Sequence, residues 1–185
     1  MELKRLTVET LDEFLNYFDH RAFLTNQEWA GCYCQFYLGS ANNADLSSEE
    51  KSAQNRALAC SRVATGEMEG YLLFDGDQMV GWCAAGSSLL YPIVPDAQEK
   101  LARVLCFNID PDWRGQGIAS TLLEKVVADL SARGFEAVEG APRCSETSIK
   151  SYRGTVSMFL TQGFEQVAEL GDGFVLMRKY LTSYP

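Results

Sequence analysis

The chain has 185 residues, 46% of them hydrophobic and 22% charged, a composition typical of one soluble globular domain with a substantial core. Its net charge of −9, from 25 acidic and 16 basic residues, argues against binding to duplex nucleic acid, whose phosphates need a basic surface. The N-terminus MELKRLTVET lacks the apolar core of a signal peptide, and no run reaches the roughly 18 apolar residues of a membrane span. We therefore expect a single cytoplasmic domain over residues 1–185, without nucleic-acid or membrane partners. The sequence leaves open whether it forms a homodimer.

The first half of the chain contains signals for a strand, two helices and a β-hairpin. LKRLTV has the pattern of a short strand, and Thr10 and Glu13 form a capping-box pair ahead of an amphipathic helix. Ser47 and Glu50 form a second such pair, which predicts the start of another helix. Two strand-like runs then flank the dipeptide DG in GYLLFDGDQMVGWCAAG, a pattern that indicates a hairpin.

The second half predicts one β-α-β unit followed by a helix and a hairpin. RVLCFNID is almost continuously apolar, as in a strand covered on both faces, and helical spacing follows from Ile118 until Gly134. A strand in FEAVEGA, a helix within SYRGTVSMFLTQG and the strands FEQVAEL and GFVLMRKYL complete the chain. Because only residues 103–141 form a β-α-β crossover, we expect an α/β (α+β) fold in which a mixed, mostly antiparallel sheet carries helices on both faces.

Six cysteines raise the question of a metal or disulfide site. There is no C-x2-C pair, and His20 is the only histidine, so the usual spacing of structural zinc ligands is absent. Cys32 and Cys34 in GCYCQFY lie on one side if the segment is extended, which leaves a redox or metal-linked role as an alternative. We expect these thiols to be reduced, metal-free packing residues.

The stretch DPDWRGQGIASTLL, residues 110–123, places two glycines where the apolar strand gives way to a helix. A P-loop needs a Gly-Lys pair, which the chain lacks, and a dinucleotide fingerprint needs a third glycine where Ser120 stands. An anion site at a helix N-terminus remains. The first amides of the helix, around Gln116 to Ser120, have no intrahelical acceptor, glycine lets a phosphate approach the backbone, and Arg114 adds a positive charge.

The hexapeptide Arg114-Gly115-Gln116-Gly117-Ile118-Ala119 resembles the R/Q-x-x-G-x-G/A signature of the GNAT superfamily of N-acetyltransferases. The stretches GDQMVG, FNIDPDW and MFLTQGF resemble the family's second hairpin strand, fourth strand and closing helix, so the likeness covers about residues 68–180. It implies a GNAT-like fold in which two parallel strands, residues 103–110 and 135–141, splay apart to admit acyl-CoA.

The resemblance also implies how acetyl-CoA, the expected co-substrate, is held without a metal. Its pyrophosphate would bind the amides of Gln116 to Ser120, and its pantetheine arm would pair with the backbone of Phe107 to Ile109. The Phe107 amide would donate a hydrogen bond to the thioester carbonyl. The implied cofactor-binding residues are Phe107, Asn108, Ile109, Arg114, Gly115, Gln116, Gly117, Ile118, Ala119, Ser120 and Tyr152.

The general acid departs from the family's pattern. Members often carry an asparagine and a tyrosine in the closing helix, and the tyrosine protonates the leaving thiolate. Counting back from the Gly-Phe pair in TQGFEQ puts Tyr152 at the asparagine position and Phe159 at the tyrosine position. The two residues are about two helical turns apart, so their side chains should lie on the same side of the helix. Phenylalanine cannot donate a proton, which leaves Tyr152, Cys144, Ser157 or solvent. We also expect Phe159→Tyr to be tolerated.

Two acids are candidates for the base that deprotonates the amine. Glu139 lies near the end of the strand that flanks the cleft and is the first candidate, and Glu28, in the loop between the first two helices, is the second. Either residue can instead be a solvated surface acid. Further loop acids, Asp45, Asp96 and Glu99, occur near aromatic residues and favour a cationic amine or a peptide amine as acceptor.

Together these features predict an N-acetyltransferase that moves an acetyl group from acetyl-CoA to a primary amine of a small molecule or peptide. The amine would attack directly in a ternary complex. The alternative is a non-catalytic acyl-CoA-binding sensor or regulatory module, because the family's usual tyrosine is missing.

Overall fold

A seven-stranded mixed sheet runs through the part of the chain that the structure, a computed structural model, describes: residues 1–39, 46–92, 94–144 and 152–181. Its strands are β1 (Glu2–Arg5), β2 (Tyr71–Asp75), β3 (Gln78–Ser87), β4 (Leu101–Ile109), β5 (Ala137–Gly140), β6 (Glu165–Gly171) and β7 (Phe174–Tyr180). They lie in the order β1-β2-β3-β4-β5-β7-β6. Among these strands only β4 and β5 pair in parallel, and all other neighbours are antiparallel. The mixed sheet with one parallel crossover confirms the predicted fold class.

The described α-helices are α1 (Leu11–His20), α2 (Ser48–Thr65), α3 (Ile118–Ala132) and α4 (Val156–Thr161). They cover both faces of the sheet, and each face has its own hydrophobic cluster. Phe14 of α1 packs with Trp82 on one face, whereas Leu122 of α3 packs with Cys83 on the other, as the alternation of side chains along β3 requires. No helix in the described ranges is long and apolar enough to cross a membrane.

The parallel pair is short, and its divergence creates the cleft. β4 pairs with β5 from Leu101↔Ala137 to Val104↔Gly140 and then continues alone on that side to Ile109. On its other side β4 stays paired with β3 as far as Gly81↔Ile109. The last residues of β4 therefore present backbone groups at an open edge inside the sheet.

Two local predictions were wrong. Thr10 precedes α1 but makes no capping bond to it, because its hydroxyl accepts from the Thr7 amide and donates to the Arg5 carbonyl, each at 2.9 Å. Tyr152 does not share a helix with Phe159, because α4 begins only at Val156 after the turn at Gly154. The second capping box, at Ser47, is confirmed.

Candidate functional site

The turn after β4 is tied down by a buried carboxylate. Asp110 is fully buried and accepts two hydrogen bonds from the Arg21 guanidinium, each at 2.8 Å, and one from the Asp112 amide at 3.0 Å. Burial raises the pKa of Asp110, but these donors outweigh it and leave the pKa below its ordinary value. The aspartate therefore stays ionised and links α1 to the start of the turn.

Arg114 and two glycines complete the turn. Arg114 donates to the Ile109 carbonyl at 2.9 Å and to the Thr25 hydroxyl at 2.6 Å. Gly115 and Gly117 have φ of 73° and 79°, a left-handed conformation that side chains rarely adopt. A Cβ on either glycine would meet no atom within 4 Å, so the space in front of the backbone is open.

Helix α3 begins with its donors unsatisfied. Gly117 occupies the N-cap position, where it supplies no side-chain acceptor. The amides of Ile118, Ala119 and Ser120 therefore lack both an intrahelical acceptor and a side-chain cap. An open backbone, uncapped amides and the positive end of a fifteen-residue helix are features that favour the approach of an anion such as phosphate.

A cavity of about 990 Å³ connects this turn with the loop between α1 and α2. Its wall is built from residues of the segments 26–37, 48–55, 106–109, 113–120 and 152–158. All the predicted cofactor-binding residues line it except Gln116, whose side chain instead donates to the Asp112 carbonyl at 3.1 Å. The other ten predicted residues therefore lie along the wall of one cavity.

The two candidate bases lie in different surroundings. Glu28 lines the cavity. Glu139 does not, and it is buried in ion pairs with Arg103, whose Nε lies 3.4 Å from Oε2, and Arg178, whose Nε lies 2.9 Å from Oε1. Glu28 therefore shares the cavity with the predicted cofactor-binding residues, and Glu139 lies outside the cavity.

The candidate proton donors for the leaving thiolate also lie in different surroundings. Tyr152 lines the cavity, and its ring meets Trp29 edge-on at 5.5 Å. Cys144 is exposed and Ser157 faces Thr155, and neither residue lines the cavity. Phe159 is fully buried, with its ring against Gly140 and 4.9 Å from the ring of Phe164.

The backbone of β4 has one unexpected partner. The Phe107 amide, predicted to meet a thioester carbonyl, donates to the Tyr152 carbonyl at 2.5 Å. The neighbouring Asn108 side chain is held by the Tyr17 hydroxyl at 2.8 Å and the Ala22 carbonyl at 3.0 Å. The open edge of β4 is therefore closed at Phe107 by the segment that precedes α4.

The acids predicted to surround the acceptor do not all reach the cavity. Of the described residues in that set, Glu28 lines it, whereas Asp96 and Glu99 do not. Asp45 lies outside the described residues. Lys51 on α2 also lines the cavity and was not predicted from the sequence. Helical spacing from the capping box places Lys51 on the same face of α2 as Ser48 and Ser52, and this spacing could have identified it.

Three thiols share the cavity wall: Cys32 and Cys34, predicted as a pair, and Cys106 of β4. Hydrogen bonding to the Cys34 thiol, together with burial, raises the pKa of Cys32, and hydrogen bonding to the Cys106 thiol, together with burial, raises that of Cys34. The Trp82 indole donates to the Cys34 sulfur at 3.0 Å. Within the described ranges no group of three or more His, Cys, Asp or Glu residues is placed to hold a metal ion.

The model of the acetyltransferase (GNAT) family matches residues 14–154, a span that includes the cleft, the turn and α3. This chain belongs to the GNAT family. The match extends the likeness into the N-terminal region, which the glycine signature alone did not reach.

Solved structures share the GNAT fold over nearly the whole chain. The ribosomal-protein-alanine N-acetyltransferase from Brucella melitensis is 15% identical with a TM-score of 0.58, over 98% of this chain and 100% of that one. An acetyltransferase from Thermus thermophilus is 19% identical with a TM-score of 0.58, over 98% of each chain. The PaiA N-acetyltransferase from Thermoplasma acidophilum, solved in complex with coenzyme A, is 15% identical with a TM-score of 0.55, over 97% of this chain and 99% of that one. No curated protein matches the chain significantly.

Proposed function

We propose that this GNAT protein transfers the acetyl group of acetyl-CoA to a primary amine of a small molecule or peptide, by direct attack in a ternary complex. The observation that carries the proposal is that one cavity is lined both by the anion-binding turn and by Glu28. An acyl donor held at the turn and an amine held near Glu28 share the same space. No metal is needed for this chemistry.

The donor is held by the turn and the end of β4. The amides of residues 116–120 receive the pyrophosphate, and the Arg114 guanidinium, fixed by its bonds to Ile109 and Thr25, adds positive charge beside them. The backbone of Phe107 to Ile109 lines the path of the pantetheine arm. The coenzyme A complex of the PaiA N-acetyltransferase, which shares the fold, supports this choice of donor.

In the transfer step the amine nitrogen attacks the thioester carbon, a carbon–nitrogen bond forms, and the carbon–sulfur bond breaks. The electron pair of the broken bond leaves on sulfur as a thiolate, which takes a proton from solvent. An acceptor bound as an ammonium ion loses one proton to a base before the attack, and the attacking nitrogen loses a second proton as the amide forms. We assign that base to Glu28 in preference to Glu139, because Glu28 lines the cavity and Glu139 does not. Glu28 beside Trp29 also supports a cationic acceptor through charge and cation–π attraction.

The second candidate is an acyl-CoA-binding sensor without turnover. Two observations favour it. The Phe107 amide already donates to the Tyr152 carbonyl, and Phe159, at the family's usual tyrosine position, cannot donate a proton. For either function we infer a cytoplasmic location, which the six free cysteines support.

The test is release of free coenzyme A from acetyl-CoA with a panel of amines, followed by mass spectrometry of the acceptor. We expect at least one cationic amine to be acetylated. Glu28→Gln should lower kcat, because the base is lost, and raise the KM for the amine, and added salt should weaken amine binding. Glu49→Gln, an exposed acid of α2 that does not line the cavity, is the matched control. Tight binding of acetyl-CoA without turnover of any amine would establish the sensor instead.

A further inference from the structure

The cavity wall carries charges of both signs. Among the described residues, three charged side chains line it: Glu28, Lys51 and Arg114. Arg114 belongs to the glycine turn before α3, where the Ile109 carbonyl and the Thr25 hydroxyl hold its guanidinium. Beyond that turn the described wall therefore has one acid and one base, rather than the cluster of acids that the sequence predicted.

Lys51 and Glu28 lie on adjoining parts of this wall. The face of α2 that lines the cavity consists of residues 48, 51, 52 and 55. Ser52 packs against Gly31, since a Cβ on that glycine would come within 2.5 Å of the serine Cβ, and Asn55 donates to the Gly31 carbonyl at 2.9 Å. Glu28 lies three residues before Gly31, in a short 3-10 turn. The close approach at Gly31 therefore fixes this face of α2 beside the turn that carries Glu28.

The Lys51 ammonium is accessible to a ligand in the cavity. The residue is exposed, and its side chain takes part in no ion pair or hydrogen bond with any other residue that the structure describes. Ser48, three residues earlier on the same face, adds a hydroxyl to this part of the wall. Because protein replaces part of the surrounding water in a cavity, an ammonium there attracts a carboxylate more strongly than it would on an open surface.

We propose that the acceptor is an amino carboxylate, a small molecule whose amine lies at Glu28 and whose carboxylate binds Lys51. This inference rests on the proposed acetyl transfer and narrows its class of acceptor. Two opposite charges fixed on one wall select a molecule that carries both complementary groups, and they select the length of the chain between those groups. A simple alkylamine leaves Lys51 unpaired, and a diamine places a like charge against it. Lys51 is thus a specificity-determining residue.

Kinetics with matched acceptors test this assignment. The acceptors are ω-amino carboxylates of increasing chain length, each compared with its neutral primary amide, which has the same size and the same amine. At the best chain length, kcat/KM should be about tenfold higher for the acid than for the amide, as for a charge-assisted hydrogen bond. Lys51→Ala should remove this preference, chiefly by raising the KM for the acid, and Lys51→Glu should shift it toward the diamine of the same length.

Two controls separate this role from others. Lys125→Ala, at a lysine of α3 that does not line the cavity, should keep the preference for the acid. The Kd of acetyl-CoA and the melting temperature should be the same in Lys51→Ala as in the wild type, because Lys51 is exposed and is not assigned to the donor. Weaker binding of acetyl-CoA by Lys51→Ala, with the preference for the acid retained, would place Lys51 at the phosphates of the donor and overturn the proposal.

A second readout does not need turnover. Titration calorimetry of the acid and of its amide into protein saturated with coenzyme A should show about tenfold tighter binding of the acid in the wild type and equal binding in Lys51→Ala. If no amine is acetylated but this difference is present, the proposed function fails and the carboxylate subsite stands. If amines are acetylated while acid and amide perform equally in the wild type, or while Lys51→Ala keeps the preference, the acceptor is not selected by Lys51.

Discussion

The Phe107 amide donates its hydrogen bond to the Tyr152 carbonyl at 2.5 Å, at the point where β4 has lost its pairing with β5. An amide has one hydrogen, so this bond and a bond to a thioester carbonyl exclude each other. Binding of acetyl-CoA as proposed therefore requires the backbone at Tyr152 to leave Phe107.

The first prediction follows from this competition. We expect acetyl-CoA to shift the amide resonance of Phe107 and to change the fluorescence of Trp29, whose ring contacts Tyr152. Trp113→Phe removes a second tryptophan that lines the cavity, which leaves Trp29 as the reporter on its wall. A nucleotide fragment of coenzyme A without the pantetheine arm should bind the turn and leave both signals unchanged. Equal responses to the fragment and to acetyl-CoA would contradict the proposed competition between the Tyr152 carbonyl and the thioester carbonyl for the Phe107 amide.

The second prediction concerns the turn. Acetyl-CoA at a hundredfold excess over its Kd should stabilise the fold by about 2.7 kcal/mol, or roughly 5–10 °C in melting temperature. Gly117→Asp should abolish this shift, because its carboxylate would occupy the place of a phosphate. Gly134→Asp is the matched control: Gly134 has a φ of 87°, also has open space at Cβ, and does not line the cavity. A normal shift in Gly117→Asp would exclude the pyrophosphate assignment.

The third prediction is that Phe159→Tyr lowers the free energy of unfolding. Counting along the sequence predicted tolerance, but Phe159 is fully buried and its ring tip lies against Gly140. An added hydroxyl there would be desolvated, at a cost of about 1–3 kcal/mol. Urea denaturation measures the change, and Phe36→Tyr, at a residue 59% exposed, should be nearly neutral. Equal stability of Phe159→Tyr and the wild type would restore the sequence-based expectation.

The fourth prediction concerns thiol reactivity. Because their pKa values are raised, Cys32 and Cys34 carry very little thiolate at neutral pH and should react slowly with iodoacetamide. The exposed Cys144 should be alkylated first. Peptide mass spectrometry at successive reaction times gives the order in which the cysteines are alkylated. Rapid labelling of Cys34, or stoichiometric zinc in protein purified without chelators, would favour a redox or metal-linked role for Cys32 and Cys34.

The fifth prediction concerns stability in acid. The folded-state pKa of Asp110 lies below its ordinary value of 3.8, so the unfolded chain binds the proton more readily than the folded one. Its contribution to stability is complete at neutral pH and is lost as pH falls below about 5 and through the folded-state pKa. Asp110→Asn should therefore flatten the loss of stability in acid. Asp112→Asn, at an exposed partner of Arg21, should change that slope much less.

The glycine turn and the uncapped start of α3 could be predicted from the sequence because their determinants are local. The free amides at the start of a helix and the left-handed freedom of Gly115 and Gly117 depend on residues within a few positions of one another. The strand before them and the helix after them were evident from hydrophobic pattern. These same residues carry the resemblance that the family match confirms.

The tertiary structure alone decided which side chains reach the cavity. Glu139 and Glu28 are both acids at plausible places in the sequence, but the pairing of β5 with β7 sets Glu139 against Arg178. Tyr152 and Phe159 were predicted to face similarly, but Phe159 is buried in the core and Tyr152 lies on the cavity wall, because contacts far away in sequence decide both positions. The local sequence determined the glycine turn and the uncapped start of α3, and the long-range packing of α1, α2 and the sheet determined which side chains line the cavity beside them.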